Sequence, residues 1–274
     1  MVKLNYTKTL KDLGIAYLGN YSQSMKMRLS EENGVITYCL YLAPANMSGY
    51  EVCPCSTFCR QFCLNGSGHN KADILVRGEE ESKINKARIK RTRLFFENKP
   101  LFMQLLIHEI KKTRRYAEKV NLGFSVRLNG TSDLSPEDFV FEGKNILQIF
   151  PDVQFYDYTK CNDRFELIKK YNNYDLTLSY SGRNWNDCEN FLNMGGRVAV
   201  VFHTPEIPKK FNGYEVINGN LYDMRYMDNV RSVIHLEYHV TAKNYRKDPV
   251  TGRLKYYPPK TPFVVMPDDN RITW

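Results

Sequence analysis

Residues 153–205 read VQFYDYTKCNDRFELIKKYNNYDLTLSYSGRNWNDCENFLNMGGRVAVVFHTP, with β-branched and aromatic runs alternating with polar, helix-prone ones. Val153 to Tyr158 predicts a strand ending at Thr159-Lys160, and Asp163 to Tyr171 a helix. Leu176 to Tyr180 predicts a strand ending at Ser181-Gly182-Arg183, and Trp185 to Asn193 a helix stopped by Gly195-Gly196. Arg197 to Phe202 predicts a further strand ending at His203-Thr204-Pro205. Strand–helix–strand repetition implies right-handed crossovers and parallel pairing, hence a doubly wound sheet or an α/β barrel.

The same alternation extends both ways along the chain. Val35 to Leu42 (VITYCLYL), Gly123 to Leu128 (GFSVRL) and Val233 to Tyr238 (VIHLEY) bring the strands to about six. Between the first two, residues 71–120 are helical in pattern. They break near Asn98-Lys99-Pro100, and Leu101, Leu105, Ile110 and Ala117 form an inward face. Ser135-Pro136-Glu137-Asp138 is a helix start with a serine cap and acids in the first turn. Six strands are fewer than a full barrel needs. The expected architecture is α/β: a partial (β/α)6 barrel, TIM-barrel-like, over residues 1–242, with a cysteine loop after the first strand. Residues 243–274, rich in proline, lysine and tyrosine, are expected to be an irregular C-terminal extension.

The chain has 274 residues and a formal charge of +9, enough length for a sizeable core and a basic balance that favours an anionic partner. No stretch approaches the ~18 consecutive apolar residues of a membrane span. The N-terminus carries no apolar signal core, which points to a reducing cytoplasmic compartment, that of the host cell if the protein is viral. The basic stretch Lys83 to Arg93, with Lys111, Lys112, Arg114 and Arg115, reads either as a nucleic-acid face or as solvated helix surface.

Four cysteines, Cys53, Cys55, Cys59 and Cys63, fall within eleven residues, and the total of seven is odd. Under reducing conditions such a cluster reads as metal-binding or catalytic. Cys59 and Cys63 share one face of a helical turn. Cys55 and Cys63 on one helix would stand about 12 Å apart, from the ~1.5 Å rise per residue. A looped-back Cys53 with Cys59 and Cys63 is the easier ligand trio, leaving Cys55 as fourth ligand or bystander. Three thiolates with an open position suit an iron–sulfur cluster, whereas four suit structural zinc or a closed cluster. Cys39, Cys161 and Cys188 read as core residues. Polar residues gather at strand C-terminal ends, where α/β folds bind ligands. Asn129, Ser132, Asp133, Lys160, Ser181 and Arg183 are the candidates to hold a cofactor or substrate. Asp133 also reads as a residue before a helix cap, and Lys160 as a solvated lysine. His203 reads as a turn residue, and His235 and His239 as core or edge residues.

Cys53-Pro54, the five- and three-residue gaps to Cys59 and Cys63, Arg127 to Asp133, Tyr158-Thr159-Lys160 and Ser179 to Gly182 together resemble the phage family of Gene 88 proteins, over Val35 to His203. That layout is similar to radical S-adenosylmethionine enzymes, in which a cysteine loop after the first strand of a partial barrel holds a [4Fe-4S] cluster. Their usual gaps are three and two residues, and their glycine-rich segment differs from Asn129-Gly130-Thr131-Ser132. The resemblance implies a phage-encoded iron–sulfur protein, with S-adenosylmethionine as a second cofactor if the likeness extends to chemistry, acting on an unknown substrate. The alternatives are a non-catalytic iron–sulfur protein with an unknown redox partner, and a zinc-stabilised nucleic-acid-binding protein.

Overall fold

The computed structural model describes residues 5–21 and 24–274. It begins with α1 (Tyr6–Leu13), β1 (Gly19–Asn20), α2 (Met25–Glu32) and β2 (Val35–Leu40). The cysteine loop follows, then α3 (Gly68–Arg77), α4 (Lys83–Glu97), α5 (Lys99–Lys119) and β3 (Gly123–Arg127). A hairpin of β4 (Val140–Phe141) and β5 (Lys144–Asn145), with the single turn α6 (Ile146–Ile149), leads to β6 (Gln154–Thr159). Next come α7 (Phe165–Lys170), β7 (Tyr174–Ser179), α8 (Trp185–Asn193) and β8 (Arg197–Phe202). The remaining strands are β9 (Lys210–Phe211), β10 (Tyr214–Asn218), β11 (Val233–Glu237), β12 (Tyr245–Lys247), β13 (Leu254–Tyr256), β14 (Val264–Val265) and β15 (Ile272–Thr273).

Eleven of these strands form one mixed sheet in the order β1-β2-β3-β6-β7-β8-β11-β10-β9-β15, with β14 also pairing β8. From β2 to β11 the neighbours are parallel. The expected partial (β/α)6 barrel, TIM-barrel-like, is nevertheless not what forms. β1 lies antiparallel on one margin, and β9 and β15 lie antiparallel on the other. The crossovers explain the difference. The β3–β6 link carries a hairpin and one helical turn, and the β8–β11 link carries β9 and β10, so two of the repeats supply strands where a barrel needs helices. The tail intervenes as well. β7 pairs β8 only as far as Ser179↔Ala199, and β14 then takes up Val201 and Phe202 of β8. Gly182 (φ +95°) stands where the tail arrives: a Cβ there would lie 2.8 Å from Phe263 N. The helix start at Ser135 yields only a three-residue 3-10 turn, Pro136–Asp138, before the chain enters the β4–β5 hairpin.

One face of the sheet is apolar. Tyr38, Leu40, Val126, Leu128, Phe155 and Leu176 pack with Phe95 of α4 and Phe102, Leu105, Leu106 and Ile110 of α5 in one core cluster. A second cluster joins Leu178, Val198, Val200 and Phe202 to Phe191 and Leu192 of α8. The start of α5 follows from its sequence: Pro100 needs no donor in the first turn, and Asn98 Oδ1 accepts from Leu101 N at 3.3 Å. The other face is polar and still buried. Thr37 and Ser125 hydroxyls meet at 2.9 Å, Tyr156 donates to Asp223 at 3.1 Å, and Arg127 pairs with the same carboxylate at 2.8 Å. The segment between β10 and β11 covers this face with Asp223, Arg225 and Asp228.

Glu109, on α5, fastens the antiparallel margin. Its carboxylate accepts from Leu18 N (2.8 Å), Gly19 N (2.9 Å), Tyr6 Oη (2.7 Å) and Tyr38 Oη (2.5 Å). Four donors on one buried acceptor leave several of them without a partner if it is deleted. Glu109→Ala should lower unfolding free energy by about 3 kcal/mol or more, read by urea denaturation. Tyr6→Phe, which removes one partly buried donor, should cost about 1 kcal/mol.

Candidate functional site

The cysteine loop packs on the C-terminal ends of the parallel strands. Thr131 Oγ1 donates to Leu42 O at 2.5 Å and Asp133 N to Val52 O at 2.7 Å, so the Asn129–Asp133 turn and the loop after β2 hold each other. Gly130 permits that contact, because a Cβ there would lie 2.6 Å from the Tyr41 ring and 2.8 Å from Leu40 O. On the other side, Thr57 Oγ1 reaches Ser181 O at 3.5 Å, and the Arg183 guanidinium lies 4.6 Å from the Phe58 ring centroid.

Asp133 is the junction. Its Oδ1 accepts from Thr159 Oγ1 (2.8 Å) and Arg164 Nη1 (2.6 Å), and its Oδ2 from Lys160 N (3.0 Å). Asn129 is equally saturated: N and Nδ2 donate to Asp157 at 2.8 and 3.1 Å, and Oδ1 accepts from Ser132 Oγ and Leu134 N. All three residues are buried. Asn129, Ser132 and Asp133 therefore organise the rim with their polar atoms already engaged. Lys160 and Arg183 lie nearer the outside, and the Lys160 ammonium faces the Phe263 ring at 5.4 Å, whereas Ser181 is buried and its N donates to Asn184 Oδ1 at 2.7 Å. Arg164 was missed from sequence, since a charged residue in a helical turn gives no sign that its partner lies 31 residues back.

Cys55 forms a disulfide with Cys161, 106 residues away, while Cys53, Cys59 and Cys63 are free. Cys161 is thus a cross-link and not a simple core residue, whereas Cys39 and Cys188 are buried free thiols as expected. The loop contains 3-10 turns at Phe58–Arg60 and Leu64–Gly66, with Cys63 extended between them, so Cys59 and Cys63 do not share a helix face. Cys53 Sγ takes the Ala45 N–H at 3.4 Å. Burial pushes the Cys53 thiol up to about 12, against the pull of that N–H, and also raises Cys63, which the Asn65 N–H, Arg88 and Lys160 partly offset.

Among the described residues no group of three or more His, Cys, Asp or Glu side chains is arranged to hold a metal ion. This overturns the expected three-thiolate [4Fe-4S] site at Cys53, Cys59 and Cys63, and with it the iron–sulfur protein in both its radical and its electron-transfer forms, and the zinc alternative. S-adenosylmethionine falls too, because that expectation rested on an open iron. Cys55, expected to be a fourth ligand or a bystander, is half of the disulfide.

The basic helices do not present one continuous cationic face. Arg88 lies over Tyr41 and Arg91 over Tyr17, at 5.1 and 4.7 Å, and both turn inward. Arg114 is paired with Glu118 and Asp152 at 3.0 and 2.6 Å. His235 is a core residue stacked on Phe202, and His203 Nε2 meets Tyr256 Oη at 3.3 Å.

The chain belongs to the Gene product 88 family, the phage family anticipated from its strand-end motifs: the family model matches residues 7–247. No curated protein and no solved structure matches it. Among the described residues no helix is long and apolar enough to cross a membrane.

The rim carries one pH-dependent element. Burial lifts the Asp157 carboxyl to about 7, although Arg127 and the Asn129 N–H groups pull it down. A carboxyl raised on folding favours the native state while protonated, so its contribution is full below the ordinary carboxylate range and is lost as pH rises from about 4 to about 7. Wild-type stability should therefore fall across that window by up to ~1.4 kcal/mol per pH unit from this group. Asp157→Asn should flatten the slope, compared by urea denaturation at pH 5 and pH 8.

Proposed function

We propose that this family member is a thiol–disulfide redox protein, in which the Cys55–Cys161 bond clamps the cysteine loop over the strand ends and a dithiol partner opens it. The observation that carries this is the cross-link itself: one disulfide beside three free thiols, at the rim where the Asp133 junction gathers the loops. In a reducing host cytoplasm, the compartment expected for this chain, a disulfide is usually transient and serves catalysis or sensing.

The chemistry is a two-electron exchange. A thiolate of the partner dithiol attacks one sulfur of Cys55–Cys161 and forms a mixed disulfide. The partner's second thiol resolves it, leaving an oxidised partner and two protein thiols. Burial keeps Cys53 and Cys63 protonated near neutral pH, so they do not scramble the bond at rest. Opening the bond frees the loop segment that now stacks Phe58 on Arg183 and binds Ser181 O. Lys160, Ser181 and Arg183 are then the groups to meet a substrate or partner, with Asn129, Ser132 and Asp133 holding them in place. A nucleic-acid partner on α4 and α5 has weaker support, because Arg88, Arg91 and Arg114 are already engaged.

Thiol counting tests the proposal. Protein prepared without reductant and denatured should show five reactive thiols, rising to seven after dithiothreitol. Under native conditions dithiothreitol should open the bond reversibly and increase proteolysis within residues 53–63. Seven thiols without reductant, or a bond that resists reduction until the protein unfolds, would sink the redox role. Cys161→Ser should give the protease-sensitive form constitutively.

A further inference from the structure

The polar face of the sheet carries hydrogen-bond donors that nothing satisfies. Among the described residues, Arg127 Nε, Arg225 Nε, Tyr158 Oη and Thr177 Oγ1 are buried atoms with no hydrogen-bond partner. They belong to one neighbourhood. Tyr158 and Thr177 are register partners on adjacent parallel strands, and the Arg127 guanidinium lies 4.7 Å from the Tyr158 ring centroid. Arg225, wholly buried, acts electrostatically on Tyr158 together with Arg127, Asp223 and Asp228.

Buried donors without acceptors cost free energy, and a cluster of them in a native structure calls for an explanation. The charge balance gives its sign. Arg127, Arg225 and Lys26 face two carboxylates, Asp223 and Asp228, within this group. The neighbouring Arg197 and Asp175 neutralise each other at 3.0 Å. Two carboxylate oxygens here also lack a hydrogen bond, Asp228 Oδ2 and Asp175 Oδ1, but each carboxylate already has its arginine, Arg225 at 3.1 Å and Arg197. What the group lacks by that balance is negative charge, placed where the four donors can reach it. A guanidinium Nε–H can only donate, and the two hydroxyls can donate beside it.

We propose that this face binds an oxyanion, a phosphate or carboxylate group, through Arg127 Nε, Arg225 Nε, Tyr158 Oη and Thr177 Oγ1. The four donor atoms are themselves buried, while Arg127 and Tyr158 are only half-buried as whole residues, so the anion would enter from their side of the covered face. The inference does not rest on the disulfide chemistry proposed above, and none of its four residues is a cysteine or a rim candidate.

The probes are inorganic phosphate and succinate, each against chloride at equal ionic strength, with thermal unfolding of the full chain as the readout. A ligand bound only by the native state raises the midpoint in a saturable way. The expected result is saturable stabilisation by phosphate or by succinate, the better of the two identifying the oxyanion class. Tyr158→Phe and Thr177→Val keep size and shape, and each should weaken the apparent affinity about tenfold or more, as loss of a hydrogen bond to a charged group does. Without added anion both variants should be as stable as wild type or more so, since each deletes an unpaired buried group. No saturable stabilisation by either anion would overturn the proposal. So would stabilisation that both variants retain in full, which would place the anion on the exposed basic helices.

Discussion

The buried Asp133–Arg164 pair is the constraint from which the rim follows. A charge removed from water must be neutralised and hydrogen-bonded, and Asp133 meets that demand with groups from the end of β6 and the turn before α7: Thr159, Lys160 N and Arg164. Its own backbone N–H binds Val52 O, one residue before Cys53. Placing the carboxylate therefore places the cysteine loop, the end of β6 and the start of α7 together. Cys161 follows Lys160 directly, so the disulfide to Cys55 closes on two segments that Asp133 has already brought into contact.

The second constraint is the chemistry of the sheet's two faces. Along β3, β6 and β7 alternate residues are polar: Ser125 and Arg127, Tyr156 and Tyr158, Asp175, Thr177 and Ser179. A sheet with one such face does not need a second helical layer. It needs a cover that brings opposite charge, and the segment between β10 and β11 supplies Asp223 and Asp228. β9 and β10 occupy the β8–β11 link, where a crossover helix would stand in a barrel, and β9 lies antiparallel to β10 at that margin.

The parallel strands were legible because each is a short β-branched or aromatic run bounded by turn residues. Arg197 to Phe202 and Trp185 to Asn193 match to the residue, and the others shift by one or two positions. The break before α5 was legible because proline constrains the chain locally. Barrel closure was not, since it depends on non-local events: β14 pairing with β8, and β15 pairing with β9 from the far end of the chain. The candidate rim residues sit at strand ends as their positions suggested, yet their roles divide in a way sequence does not show. Asn129 and Asp133 are saturated inside, while Lys160 and Arg183 face aromatic rings nearer solvent. The cysteines misled because spacing within 53–63 is local information, and the partner of Cys55 is 106 residues away. One signal for the polar face was present: a period-two alternation of polar residues along β3, β6 and β7.

The rim and the polar face share the same strands, which ties their energetics together. Arg127 lies two residues before Asn129, and Tyr158 three before Cys161, with Thr159 between them bound to Asp133. A displacement of the β6 end that moves Thr159 also moves its chain neighbour Tyr158. If opening the disulfide displaces the end of β6, it must change the affinity of any ligand held by Tyr158. By linkage, that ligand must then change the ease of reduction by the same factor. The coupling needs no path through the helical layer, because Tyr158 lies in β6 and Cys161 follows two residues after its end.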